Sequence, residues 1–187
     1  MRAKCTMKNN ATLNETVREA LGIALLQIME SKPFQSITIS EIATVAGVSR
    51  NSFYRNYSCK EDLLGSHLIS LYQSFFQTVS DPQHLTDPAQ VQDFLIPRFR
   101  FIKEHRHIFQ ILHKQHLLYS CFQQTEANLI RLLCVQPMNL SPCQCAMITG
   151  ACAGTVRYWI DNDFSESEET MARHFTFLFQ HAFVDQT

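Results

Sequence analysis

Residues 37–64 read ITISEIATVAGVSRNSFYRNYSCKEDLL, and three positions within them decide the fold. Ala43 falls in a helix, Gly47 follows it, and Phe53 lies further on in the next helix. Two helices that cross closely need a small residue at the crossing, a glycine at the sharp turn and an apolar anchor from the second helix. Ala43, Gly47 and Phe53 supply these, with Ile42, Ala46 and Val48 completing the shared apolar contact. The ends are marked too. Thr38-Ile39-Ser40-Glu41 has the T-x-x-E form, in which hydroxyl and carboxylate satisfy orphan amides reciprocally. Gly47 stops that helix, and Ser49 caps a third one running to about Tyr57. Ser58-Cys59-Lys60-Glu61 repeats the capping pattern before a helix reaching Ser80. The exposed face of the third helix carries Arg50, Asn51, Ser52, Arg55 and Asn56, able to reach base edges and phosphates, and Tyr54 offers a phosphate a hydroxyl. This is a helix-turn-helix pattern, although two short capped helices about a glycine also occur in ordinary globular structure.

Upstream, residues 1–12 are polar, carry Arg2, Lys4 and Lys8 without an acid, and read as a flexible arm. A first helix over about 14–31 places Val17, Leu21, Ala24, Leu25, Ile28 and Met29 on one face, and Pro33 ends it. Downstream, Asp81-Pro82 and Asp87-Pro88 bracket a loop. Helices follow at about 88–104, 105–112, 115–134, 143–162 and 167–183. Pro97 should kink or split the first of these, and Pro142 suits a first helical turn. The expected fold is all-α: a helix-turn-helix domain over 12–60 and a helical bundle over 61–187, to which the family likeness described below gives regulatory and dimerisation roles.

Composition agrees. The 187 residues are 45% apolar with five glycines, enough for a core and too apolar for a charged disordered chain. Net charge is −1, but residues 1–58 carry +3 and residues 59–187 carry −4, as if one end met a polyanion. No apolar run approaches the roughly 18 residues of a membrane span. The amino terminus lacks a secretory apolar stretch, and seven cysteines without framework spacing suit a reducing cytosol.

The segment resembles the DNA-binding domain of the TetR/AcrR family of transcriptional regulators. A first helix followed by I-T-I-S-E-I-A, A-G-V-S, S-F-Y-R-N-Y and C-K-E-D-L-L carries the likeness over about 12–64. The resemblance implies that Thr38 caps the second helix and touches a phosphate, and that Ser49, Arg50, Asn51 and Ser52 open the recognition helix. It gives Tyr54 and Lys60 phosphate contacts and buries the ring of Tyr57. Asn56 stands where the family often has histidine, and Asn51-Ser52 replaces a common Gly-Thr, so the operator sequence is not legible.

Residues 147–163 resemble the penultimate helix of the DhaS-type subgroup. Ala146, Gly150 and Gly154 make a smooth ridge, and Met171, Phe175, Leu178, Phe179, Ala182 and Phe183 an apolar face, which together suit a four-helix interface in a homodimer. The same faces could instead pack within one chain. The family implies a small-molecule inducer among the bundle's aromatics, with Phe99, Phe122 and Trp159 as candidate lining, although such stripes are also ordinary core. The expected function is a repressor in the bacterial cytoplasm, at the nucleoid, released from a double-stranded DNA operator by a small-molecule effector. It needs no cofactor and no membrane. A coactivator or adaptor whose bundle receives a protein partner is the alternative, and both readings use the same amino-terminal half.

Other clusters are weaker. His113 and His116 could share a helix face, but with His105 and His107 they read as exposed histidines without a complete metal-ligand pattern. Cys143-x-Cys145, near Cys134 and Cys152, points its thiols apart on a helix, so inert thiols are the commoner outcome. No phosphate loop, nucleophile elbow or dinucleotide fingerprint suggests an enzyme.

Overall fold

The computed structural model describes residues 2–76, 88–125 and 141–179. Among them are nine α-helices, one short 3-10 turn and no strand, as an all-α fold requires. No helix among these residues is long and apolar enough to cross a membrane. The chain divides into two compact units, Met1–Leu71 and Tyr72–Thr187.

The first unit holds α1 (Arg2–Met29), a 3-10 turn (Phe34–Ser36), α2 (Ile39–Val45), α3 (Arg50–Tyr54) and the start of α4 (Lys60–Phe76). The division between units falls inside α4; the boundary read from sequence, at residues 60 and 61, lies at that helix's start. Residues 2–12 are helical, which corrects the flexible arm: polarity alone does not break a helix, and no glycine or proline precedes Gly22. Leu21, Ala24, Leu25 and Met29 are buried on α1, as are Ile42 and Ala43 on α2, Phe53 on α3 and Leu63, Leu64 and Leu68 on α4.

One close approach fixes α1 against α4. A Cβ added to Gly22 would stand 2.1 Å from Nδ1 of His67 and 2.5 Å from its Cγ. The imidazole therefore occupies the space a side chain would need. Burial pushes the His67 pKa below its ordinary value, against the opposing pull of Glu19, and favours the neutral ring.

The second unit contains α5 (Pro88–Glu104), α6 (Arg106–Lys114), α7 (Leu118–Thr125), α8 (Pro142–Asp161) and α9 (Glu168–Phe179). Helix α5 packs along α9, while α6 and α7 pack on α8. Of the expected kink or split at Pro97, the split does not occur: α5 continues through it. Ser141 caps α8 with Gln144 in a reciprocal box and Pro142 occupies its first turn. Trp159 is wholly buried, with the rings of Phe99 and Phe164 at 5.6 and 5.0 Å and its indole N–H donating to the carbonyl of Glu166 at 3.1 Å. The tight α8–α9 link uses left-handed backbone at Asp163 and Phe164, φ 51° and 54°, which turns the Phe164 ring into this core.

The Gly22 crossing yields a direct test. Gly22→Ala should lower the unfolding free energy by about 1–3 kcal/mol through overpacking, read by urea denaturation. The loss should shrink in a His67→Ala background, since removing the ring vacates the space. Equal stability of Gly22→Ala and wild type would show that the helices do not cross this closely.

Candidate nucleic-acid interface

The candidate interface is built on local chemistry. The Thr38 hydroxyl accepts from the Glu41 amide at 3.3 Å, and the Glu41 carboxylate accepts from the Thr38 amide and hydroxyl at 2.8 Å each. Lys32 also donates to this carboxylate. The Lys32 contact first, then the Thr38 amide and hydroxyl, holds the Glu41 pKa down to about 2. Helix α2 closes with Val48 N–H donating to the Ala43 carbonyl at 2.9 Å and Gly47 N–H to that of Thr44 at 3.1 Å. This closure places Gly47 at φ +66°. Among the described residues no non-neighbouring atom lies within 4 Å of a Cβ built there, so the glycine is required by backbone conformation and not by space.

Ser49 then caps α3, its hydroxyl accepting from the Ser52 amide at 3.1 Å. Phe53 is 0% exposed. Its ring meets Tyr54 edge-on at 5.6 Å and Tyr57 at 5.9 Å. Tyr57 is itself buried, as expected, and its phenol accepts from Arg18 Nε at 3.1 Å. That bond, first among several causes, raises the Arg18 pKa. Helix α3 ends at Tyr54, short of the expected Tyr57, and Asn56 Nδ2 donates back to the Ser52 carbonyl at 2.9 Å. Asn56 and Ser52 are half-buried, whereas Thr38, Ser49, Arg50, Asn51, Tyr54 and Arg55 are exposed, Tyr54 by 51%. Two guanidinium groups, an amide, a phenol and hydroxyls therefore stand in solvent around a short helix whose anchor is fully buried.

Lys60 departs from expectation. Its Nζ donates to the carbonyls of Phe34, Gln35 and Ile37 at 2.8, 2.9 and 3.0 Å. An ammonium has only three N–H bonds, so none remains for a phosphate in this arrangement. The capping partner of Ser58 is also different: its amide and hydroxyl donate to Asp62 Oδ2 at 2.9 and 3.3 Å, not to Glu61. Because α4 begins at Lys60, Cys59 occupies the cap and Asp62 the third helical position, one residue later than expected.

In the second unit, Phe99, Phe122 and Trp159, expected to line a pocket, are buried against other rings: Phe99 on Trp159, and Phe122 stacked on Phe109 at 6.2 Å. They are core. Phe175, expected at a dimer interface, is buried by its own chain. The exposed apolar groups of α9 are instead Phe177 and Leu178, 63% and 47%, joined on α8 by Met147 and Tyr158. Ala146 and Gly150 are exposed and Gly154 half-exposed. The side chain of Phe179 and all of Phe183 lie outside the described residues. An open cleft of about 520 Å³ is lined by Ala151, Gly154, Thr155, Tyr158, Glu166, Met171 and His174. Over it Tyr158 donates to Glu166 at 2.7 Å, and His174 lies 3.3 Å from the same carboxylate.

His113 and His116 do not share a helix. Helix α6 ends at Lys114, His116 has φ 58°, and His113 Nε2 pairs with Asp161 at 2.9 Å. Cys121 and Cys152 are buried, and burial pushes the Cys121 thiol up to about 12, so it stays protonated and inert. Cys134 and the Cys145 side chain fall outside the described residues, while Cys143 is exposed.

Comparison with known proteins agrees with this geometry. Residues 24–66 match the family model described as bacterial regulatory proteins, tetR family, and residues 89–181 match one described as transcriptional regulator C-terminal region. An uncharacterized HTH-type transcriptional regulator of Bacillus subtilis, YxbF, is 29% identical over a 176-residue alignment covering 85% of this chain. That alignment covers 43% of YxbF, so the chain spans less than half the length of the curated relative it matches. Three solved structures share the fold. The dihydroxyacetone kinase operon activator DhaS is 17% identical with TM-score 0.52, covering 89% of this chain and 96% of its own. A tetR-family transcriptional regulator from Streptomyces coelicolor is 19% identical with TM-score 0.53, covering 89% and 79%. A Clostridium perfringens protein described as a fatty acid metabolism regulator is 16% identical with TM-score 0.54, covering 88% and 98%.

The Glu41 box predicts an acid response. The folded pKa lies below the ordinary 4.5, so its stabilisation is complete above that value and is lost as pH falls toward about 2. The stability gap between wild type and Glu41→Gln, measured by chemical denaturation, should be constant above about pH 5 and close on acidification. A gap independent of pH between 2 and 6 would contradict the box.

Proposed function

The chain belongs to the TetR family of bacterial transcriptional regulators, and on that premise we propose that it works as a homodimeric repressor, released from its DNA operator by a small-molecule effector. The carrying observation is α3: Arg50, Asn51 and Tyr54 are exposed on a five-residue helix whose Phe53 is wholly buried, and Arg55 is exposed at its C-cap. The backbone of so firmly anchored an element has little freedom left to lose on binding, which favours base readout in a major groove. Arg50 and Asn51, near the helix start, are the proposed base readers; Ser49, Tyr54 and Arg55 supply donors for phosphate oxygens, while Thr38, expected to touch a phosphate, spends its amide and hydroxyl hydrogens on Glu41 and holds the α2 cap. Ser52 lies in the same helix and Asn56 just beyond its end, and their hydrogen bond holds that end in shape.

Gly150 and Gly154 support a second copy. Each sits inside α8, where glycine costs about 1 kcal/mol relative to alanine. Yet a Cβ built at either meets nothing within 4 Å among the described residues. Nothing described in the chain explains their smallness; close approach of a partner's helix to the ridge of Ala146, Gly150 and Gly154 does. The exposed Met147, Tyr158, Phe177 and Leu178 would be covered by the same association. Two recognition helices related by a two-fold axis would then read half-sites about 34–36 Å apart. An effector that binds one dimer geometry better than the other would shift their separation, with α4 as the continuous segment between units. The proposed location is the bacterial cytoplasm.

Selection of bound duplexes from random-sequence DNA, followed by footprinting, tests the reading. It should return a two-half-site sequence. Asn51→Ala should change the selected bases, whereas Tyr54→Phe should weaken all sequences alike, by a few-fold. Gly150→Leu should leave the monomer folded and abolish the dimer in sedimentation. Failure to enrich any sequence, or a Gly150→Leu protein that still dimerises, would count against the corresponding half of the proposal.

A further inference from the structure

We propose that Lys60 is a positioning residue, a clasp that holds the α1–α2 connection onto the start of α4 and gives no charge to the DNA backbone. The inference rests on the DNA-binding reading but assigns this side chain a different task. Its three donors converge on three carbonyls, those of Phe34, Gln35 and Ile37. The ammonium also lies 4.9 Å from the centroid of the Phe34 ring, which is buried. These carbonyls belong to the 3-10 turn Phe34–Ser36 and the residue after it, and a lysine can donate to carbonyls at the end of such a turn; that of Phe34 also accepts from the Ile37 amide at 3.2 Å.

The position is otherwise a poor one for a cation. Lys60 is the first residue of α4, where the helix dipole favours negative charge, and Glu61 and Asp62 in the same turn are what the dipole prefers. A lysine turned away from its own helix onto carbonyls is explained by those carbonyls. Their consequence reaches the interface through a short path. Ile37, whose carbonyl is clasped, immediately precedes Thr38, the cap of α2, and the far end of α2 sets the turn at Gly47 that leads into Ser49 and α3. Releasing the clasp would loosen the entry of α2 and with it the seat of α3.

The test uses the full chain and a duplex enriched by the wild-type protein from random-sequence DNA. Lys60→Met and Lys60→Arg should each lose about tenfold or more in affinity, with the slope of log K against log salt unchanged. Arginine keeps the charge, but its planar fork cannot aim three N–H bonds at three converging carbonyls. Affinity retained by Lys60→Arg, or a slope shallower by about 0.9 in Lys60→Met, would overturn the clasp in favour of a phosphate contact, and wild-type affinity in both would overturn it outright. Reductive methylation of the native protein supplies a measurement that needs no variant to fold. Lys60 should react at least about tenfold more slowly than the exposed Lys114, with or without DNA; a Lys60 that reacts readily when free and is protected only by DNA would also overturn it. If no duplex is enriched, the DNA reading itself falls, and the methylation rate of the free protein still decides whether the clasp exists.

Discussion

Helix α3 is five residues long. A helix that short does not persist on its own, since nucleation fixes several residues for a single hydrogen bond. It is held because Phe53 is completely buried, its ring against those of Tyr54 and Tyr57. Truncating a buried phenylalanine typically costs about 3–5 kcal/mol, several times the net value of about 1 kcal/mol for one hydrogen bond. Burial of that ring therefore outweighs any preference of the five residues themselves. The reversed backbone at Gly47 and the Ser49 cap then fix the direction in which the helix leaves its anchor. What remains outward, Arg50, Asn51, Tyr54 and Arg55, is displayed by a rigid base and not by a loop.

The second unit follows a different logic. Its interior is closed by aromatic packing around Trp159, whose ring neighbours and indole hydrogen bond leave it no unfilled requirement. On its outside, α8 presents two glycines at which a built Cβ meets nothing within 4 Å among the described residues, and α8 and α9 expose large apolar side chains. On the proposed reading, a second copy approaches Gly150 and Gly154 and covers the exposed Phe177 and Met147. The first unit displays donors and the second displays an apolar ridge, and a DNA-reading dimer requires both.

Much of this was legible in the sequence because the deciding interactions are short-range. The Thr38–Glu41 box, the Ser49 cap and the Gly47 turn each involve residues within a few positions, so spacing predicts them. The inward ring of Phe53 follows from the same spacing. Helix α1 extends further than its apolar pattern predicts because its first residues are polar, and polarity marks exposure and not coil. The third helix is shorter than its pattern predicts, since Asn56 folding back on Ser52 is a choice among several hydrogen bonds open to an asparagine. The role of Lys60 is hidden for a deeper reason: its carbonyl partners lie 23 to 26 residues away, and carbonyls are common to every residue type. No side-chain pattern announces them. Phe175 and Phe177 illustrate the limit of helical periodicity, because a broad apolar face tells which side of α9 is greasy but not which part its own chain covers.

The central claim, that α3 is a rigid reader of DNA anchored by Phe53, is most directly tested by following backbone amide and phenylalanine ring resonances during titration with an enriched duplex. The account predicts the largest amide shifts within residues 49–56 and at Thr38, while the Phe53 ring keeps the dispersed shifts of a buried group throughout. Shifts concentrated in residues 88–179, or a Phe53 ring with the averaged shifts of a solvated side chain, would contradict it.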